Sequence, residues 1–476
     1  MTRYSVLLAS AALAVFLPAP QGSDLPRRIA NSPDGLVKMT YAAREGICGD
    51  GRTFIADATQ PQGYEVWFTE GMSFSGVMGS DLRSRCVRGP VRLLLVVRDR
   101  RVVDVQPFVG PPSAATERPG TELGTVSTAD VARYLLDLAT RGSDATVREA
   151  IVAATLADSV RIAGQLAAIA RNKSLGIAAR EAALKRIVRV ADREGDRDAP
   201  RVARSILEDG GDRLELRERA ARVIAETDDG PAYLRSVYAR LDEPALRERV
   251  VRVVGENGSK ADLDWVRGVA LDKTERTATR ERAVRVLAEA SDARTLRELY
   301  DRLDEPSLRE RVVRVMADVG DGDARRWLRE IVERPTEPTA IRDRAIRSLA
   351  EMGDVSYLRS AYRTIDDEEL RERILRSVAE AGGSETHAWL REIARDTKER
   401  SSLRERAVRL LAESGAPTSE LVSLYDSVPD NVVRDRLVNI FAERGDRASR
   451  DKLRAIATDD PSEDRRQRAL RKLAER

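Results

Sequence analysis

The stretch Leu246–Glu256, LRERVVRVVGE, spaces its apolar side chains three and four residues apart, the period of one helix face. Advancing about 100° per residue brings Leu246, Val250, Val253 and Val254 within about 100° of one another, a packing stripe. Val251 and Gly255 widen it, while Glu248, Arg249, Arg252 and Glu256 fill the opposite arc. The same eleven-residue pattern starts again at Val147, Ala179, Leu216, Thr279, Leu308, Ile341, Leu370, Leu403, Val433 and Arg465. It predicts helices from Ser127 onward. Residues 32–109 follow a period of two instead: GLVKMTYAA alternates, YEVWF is short and aromatic, and VRLLLVVRDRRVVDVQPFVG reads as a hairpin. Its strands are Val91–Val97 and Val102–Val109, about the turn Arg98-Asp99-Arg100-Arg101. Residues 110–126 begin GPPSAATERPG and read as a Pro/Gly-rich linker.

One arginine stands out in each copy. Arg247 lies at about 100° on the wheel, inside the apolar side. The second place is Arg in every copy: Arg148, Arg180, Arg217, Arg247, Arg280, Arg309, Arg342, Arg371, Arg404, Arg434 and Arg466. A guanidinium on a packing flank needs its donors satisfied, because a buried unpaired charge is costly. Its fork suits a carboxylate or the open carbonyls ending a helix, and its stem packs on apolar surface. These arginines are therefore expected to tie each repeat to its neighbour, with turn acids such as Asp242, Asp304 and Asp366 as partners. A second set lies on the polar arc: Arg249, Arg252, Arg282, Arg285, Arg311, Arg314, Arg344, Arg347, Arg373 and Arg376. Glutamates four residues away make this a salt-bridged face, and it is also the candidate surface for a partner.

Between copies lies a second helical segment, of two sorts. One carries Tyr238, Tyr300, Tyr362 or Tyr425; the other carries Trp265, Trp327 or Trp389. The unit is thus a doubled repeat of about 62 residues. Two short helices cannot cover their own apolar faces, but stacked neighbours can. The copies resemble HEAT-like repeats of the short, phycobilin-lyase type, whose second helix reads Asp-x-x-x-Arg-x-x-Ala-x-x-x-Leu. Asp242, Arg247, Val250 and Val254 stand near those places, as do Asp304, Arg309, Val312 and Met316. The resemblance implies a mainly α chain, an α-α superhelix over residues 127–476, preceded by a small β-rich domain. It also implies protein binding.

At the N-terminus, Arg3 and the apolar run Val6–Leu17 predict a signal peptide over residues 1–22, too short to span a membrane. The chain is therefore expected to be exported, periplasmic or secreted, with no membrane span once mature. In an oxidising compartment the only two cysteines, Cys48 and Cys86, are expected to form a disulfide. An unchanged mass on alkylation without reductant, and a gain with it, is the result this pairing requires.

Composition narrows the chemistry. Lys and Arg number 82 against 79 Asp and Glu, so no polyanionic partner is demanded and nucleic acid is not expected. A single histidine, His387, argues against His-dependent triads, and one His with two bridged Cys makes no usual zinc site. The several His-Glu pairs of HEAT-like metal hydroxylases are missing. No Gly-rich phosphate loop precedes a helix. The expected protein is a non-catalytic scaffold or adaptor for a protein or peptide, with no cofactor. The alternative makes the β domain a recognition or catalytic head on a solenoid spacer.

Overall fold

The computed structural model describes residues 24–51, 53–56, 65–68, 73–75, 87–196, 198–290 and 292–475. The expected signal peptide, residues 1–22, and Cys86 lie outside them. Two compact units divide the chain, Met1–Gly230 and Pro231–Arg476.

The first unit opens with a six-residue helix, α1 (Leu25–Ala30), that period alone does not reveal; Leu25 and Ile29 are its buried pair. Strands β1 (Gly35–Tyr41), β6 (Val91–Arg98), β7 (Arg101–Val109) and β8 (Thr121–Thr125) form a sheet in the order β7-β6-β1-β8. The expected hairpin is present, with a tighter turn. Asp99 and Arg100 alone make it, both at positive φ (51° and 61°), the left-handed backbone conformation that two-residue hairpin turns favour. A second sheet joins β2 (Cys48–Gly49), β3 (Thr53–Ala56), β4 (Glu65–Phe68) and β5 (Ser73–Ser75) in chain order. Gly49 and Val87, chain neighbours of the two cysteines, exchange backbone hydrogen bonds at 3.0 Å. That contact supports the Cys48–Cys86 bridge, which stands as a proposal.

The linker expectation for residues 110–126 is corrected. Thr121–Thr125 pairs in parallel with β1, and Val126 N–H donates to the Thr40 carbonyl at 2.9 Å. Gly120 permits the approach, since a Cβ there would stand 2.6 Å from the Leu36 carbonyl oxygen. Nor is the β region a detached head. The Tyr41 hydroxyl donates to the Ala153 carbonyl at 2.7 Å, Arg44 Nε donates to the Thr155 carbonyl at 2.9 Å, and Thr146 Oγ1 donates to the Val103 carbonyl at 3.1 Å. These bonds fix the main sheet to the first helical hairpin. The unit continues as three such hairpins: α2 (Thr128–Ala139) with α3 (Asp144–Thr155), α4 (Ala163–Arg171) with α5 (Ile177–Glu194), and α6 (Ala199–Glu208) with α7 (Leu214–Ala225).

The second unit holds eight hairpins. First helices are α8 (Gly230–Val237), α10 (Lys260–Leu271), α12 (Ala293–Arg302), α14 (Gly322–Glu333), α16 (Val355–Thr364), α18 (Ser384–Arg395), α20 (Thr418–Ser427) and α22 (Arg447–Asp459). Second helices, which carry the motif, are α9 (Pro244–Glu256), α11 (Thr277–Ala290), α13 (Pro306–Val319), α15 (Thr339–Glu351), α17 (Glu368–Ala381), α19 (Ser401–Glu413), α21 (Asn431–Arg444) and α23 (Glu463–Ala474). Local signals set their ends. Pro244 and Pro306 start α9 and α13, and the Asp292 and Asp321 side chains accept from Thr295 N–H and Ala324 N–H.

The wheel's stripe is the core. Leu246, Val250, Val251 and Val254 are wholly buried, as are Leu308, Val312, Val313 and Met316. Within each unit, each second helix packs on the next, whereas first helices touch their successors sparsely. The closer-spaced row is the inner row of the stack. Gly255 fits this approach: a Cβ there would lie 2.0 Å from Val286 Cγ1.

Candidate functional site

The second-place arginines divide into two sorts, which alternate from Arg217 onward as the doubled repeat does. In hairpins of the first sort, Nε donates to the penultimate carbonyl of the preceding helix, always ten residues back. Arg180 reaches Ala170 (2.9 Å), Arg217 Leu207 (3.0 Å), Arg280 Ala270 (3.0 Å), Arg342 Val332 (2.8 Å) and Arg404 Ala394 (3.3 Å). A helix end leaves such carbonyls open, so the arginine closes its own hairpin. The rest of the fork crosses to the next repeat: Arg180 to Asp212, Arg280 to Glu305 (2.7 Å) and Arg404 to Asp430. Arg180, Arg217, Arg280 and Arg404 are at most 5% exposed, which is unusual for arginine and follows from these partners.

In the other sort, the guanidinium lies over the tyrosine ring, with its carbon 5.3 Å from the Tyr238 centroid for Arg247, 4.2 Å from Tyr300 for Arg309, 4.3 Å from Tyr362 for Arg371 and 5.6 Å from Tyr425 for Arg434. The tyrosine meets the next tryptophan edge-on: Tyr238–Trp265 and Tyr300–Trp327 at 5.0 Å, Tyr362–Trp389 at 5.4 Å. A glutamate 28 residues after the arginine completes the group, Glu275, Glu337 or Glu399. Glu337 accepts from Arg309 Nη2 on both oxygens at 2.9 Å and from the Tyr300 hydroxyl at 2.7 Å. Burial first, then Glu337, holds the Tyr300 phenol above its ordinary range; Glu399 does the same for Tyr362.

Three details depart from expectation. Asp304 pairs with Lys273 rather than an inter-repeat arginine, and Asp366 is exposed. Acids that serve include Asp212, Glu275, Glu305, Glu337, Glu399 and Asp430, and Asp242 is partnered as well; the recurring offset from the arginine was the available signal. Arg148 is exposed: the carbonyl ten residues back, Leu138, already accepts from Arg141 N–H and Gly142 N–H. In the last copy the buried arginine is Arg465, 4% exposed, bonded to Asp460 and to Asn431 Oδ1 (2.8 Å). Arg466 reaches only the Asp460 carbonyl (2.6 Å) and Glu463. Arg434 donates to the Val428 carbonyl at 2.9 Å.

The candidate binding arginines are largely engaged with one another's acids. Those in fourth place cross to the acid of the preceding second helix: Arg282 to Glu248 (3.7 Å), Arg311 to Glu281 (2.8 Å) and Arg373 to Asp343. Arg344 turns to Glu351 instead (3.1 Å), and Arg249 is also partnered. Those in seventh place pair along their own helix: Arg252 with Glu256, Arg314 with Glu310, Arg347 with Asp343, Arg376 with Glu372. Arg285 differs. It makes no ion pair among the described residues, although its buried Nε lacks an acceptor just as those of Arg252, Arg344, Arg347 and Arg376 do. Burial, then Arg282 and Arg311, lowers its pKa against the pull of Glu281 and Glu248.

Acid is expected to loosen the stack. At Asp212, Asp430 and Asp460 burial raises the pKa, but hydrogen bonds from Arg180, from Val432 N–H and Arg404, and from Tyr425 and Ser462 N–H outweigh it, leaving each lowered. A folded value below the unfolded one of about 3.9 gives stability that is complete above that value. It is lost as pH falls through the folded pKa. The melting temperature should hold from pH 7 to 5 and drop below about 4. Asp430→Asn should melt lower at pH 7 and lose less on acidification; an equal acid loss would contradict the assignment.

His387 contacts the Ser414 carbonyl (3.4 Å) and lies 3.7 Å from Glu420, which also holds Arg391. Among the described residues no group of three His, Cys, Asp or Glu is placed to hold a metal ion. No described helix is long and apolar enough to cross a membrane.

No family model matches the chain, and no curated protein does. Solved structures are similar. Human deoxyhypusine hydroxylase is 16% identical, over 60% of this chain and 99% of its own, with a TM-score of 0.21. The CpcE–CpcF complex of phycocyanin lyase from Nostoc is 17% identical, over 50% and 94%, with a TM-score of 0.24. Yeast importin-beta is 10% identical, over 73% and 58%, with a TM-score of 0.33. The fold is a HEAT-like α-solenoid. That assignment rests on this chain's own run of paired helices with a shared apolar stripe.

Proposed function

We propose that this protein is an exported, non-catalytic scaffold or adaptor that presents its solenoid surface to a protein or peptide. The observation that carries the reading is Arg285. Along the inner row nearly every candidate arginine is neutralised by a neighbouring acid, so the face is mostly a structural lattice. At Arg285 two further cations crowd a guanidinium whose Nε has no acceptor. A carboxylate from a partner would relieve the repulsion. The attachment of the main sheet to the first hairpin weighs against a separable head.

A photo-crosslinking residue placed at 285, at 294 in the first-helix row and at 100 in the β6–β7 turn tests the reading in the native compartment. Adducts from position 285 are the expected result. Adducts from position 100 alone would transfer recognition to the β region and overturn it.

A further inference from the structure

Asn257–Gly258 is the chain's only Asn-Gly pair, and it stands exposed in the turn between α9 and α10. The glycine has a structural reason. Gly258 follows α9 in the left-handed region (φ 70°), as Gly320, Gly353, Gly415 and Gly445 follow other second helices. The residue before the glycine is Val319, Met352, Ser414 or Arg444 in those turns, so the turn itself does not demand asparagine.

Asparagine before glycine is open to a reaction that needs only water. The Gly258 nitrogen gives up its proton and bonds to Cγ of Asn257, the Cγ–Nδ2 bond breaks, and ammonia leaves carrying that proton. Water then opens the cyclic imide. Cleavage at the backbone carbonyl gives isoaspartate, and cleavage at Cγ gives aspartate. In the folded chain both reacting groups are restrained. Gly258 N–H donates to the Gly255 carbonyl at 3.0 Å, and Asn257 Nδ2 donates to Asp262 Oδ2 at 2.7 Å. Asp262, only 2% exposed, is the anchor: it also accepts from Ser259 Oγ and lies 3.4 Å from Arg235 Nε on α8. Ring closure further requires Asn257 to leave its helical backbone angles (φ −67°, ψ −27°).

We propose that Asn257 is a site of spontaneous deamidation whose rate is set by opening of the α9–α10 turn. The product undoes its own restraint. A carboxylate at 257 has no proton to donate to Asp262 and sets a second negative charge beside a buried one. Isoaspartate also adds a methylene to the main chain at the turn. Conversion is therefore one-way, and it marks the age of the chain at a point where one repeat joins the next. The inference goes beyond the scaffold reading and does not depend on it.

The test compares the full chain with the synthetic octapeptide Val-Val-Gly-Glu-Asn-Gly-Ser-Lys, the tryptic fragment that carries the site, both held at about pH 8.5. Samples of the chain are digested at intervals, and the asparagine, aspartate and isoaspartate forms are separated by chromatography and weighed. Conversion is expected at Asn257 ahead of Asn31, Asn172, Asn431 and Asn439, at least about tenfold slower than in the peptide, and accelerated at least about threefold by Asp262→Ala. Should Asp262→Ala fail to fold by its melting curve, urea below the unfolding midpoint of the wild type replaces it, and the rate should rise there too. A chain that reacts as fast as the peptide, or a rate unmoved by Asp262→Ala and by urea, would overturn the control by the turn. No detectable conversion after about a hundred peptide half-lives would overturn the site itself. Asn257→Asp should melt lower than the wild type, and an equal melting temperature would overturn the claim that the product loosens the turn.

Discussion

Glu337→Ala should cost about 3–5 kcal/mol of stability in the second unit, more than any single change on the polar arc. The carboxylate is 5% exposed and accepts from Arg309, Arg334 and Tyr300. Removing it strands the fully buried Tyr300 phenol and leaves the partly buried Arg309 guanidinium without its carboxylate. At about 2–4 °C per kcal/mol for a unit of this size, the melting temperature should fall by roughly 10 °C. Glu337→Gln keeps an acceptor for the Tyr300 hydroxyl and should cost less. A loss below about 1 kcal/mol for the alanine variant, the range of exposed ion pairs, would place Glu337 outside the packing machinery.

Trp327→Ala should be similarly costly, about 3–5 kcal/mol, because it removes a 3% exposed ring and the edge-on contact with Tyr300. Trp327→Phe should cost under about 1.5 kcal/mol. It retains much of the ring, and the indole N–H it deletes has no partner to lose. Chemical denaturation of both variants checks this pair of values. A phenylalanine variant as unstable as the alanine one would mean that the indole N–H holds a bond essential to the packing.

Much of this architecture was legible because it repeats. The stripe from Leu246 to Val254 follows from helix geometry, and recurrence of Arg at second place marked a constrained position that exposed residues such as Glu289 do not. The ring pairs were visible only as a rhythm. That Tyr300 meets Trp327, and that Glu337 sits on both Tyr300 and Arg309, depends on how successive hairpins nest. The acids at offsets of 25, 26 and 28 residues were in plain view, yet turn acids such as Asp304 looked equally good. Register chooses between Asp304 and Glu305, adjacent in the chain, and local pattern cannot.

The misread linker has a different cause. Thr121–Thr125 is polar and mostly exposed, so alternation gives no strand signal there; backbone bonds to β1 make it one. Parallel pairing needs a long connection, which local sequence does not report. Arg148 fails for a local reason: Arg141 and Gly142 use the carbonyl that its relatives bind. Arg285 is set apart by the cations crowding it, something no pattern of residue types displays.

A double-mutant cycle on Arg309→Met and Glu337→Gln, read from unfolding of the second unit, decides whether the recurring arginine couples one repeat to the next. Each single change should destabilise, and the pair should lose less than the sum, with an interaction of about 1.5 kcal/mol or more. Additivity within about 0.5 kcal/mol, or an Arg309→Met variant that unfolds like the wild type, would contradict it.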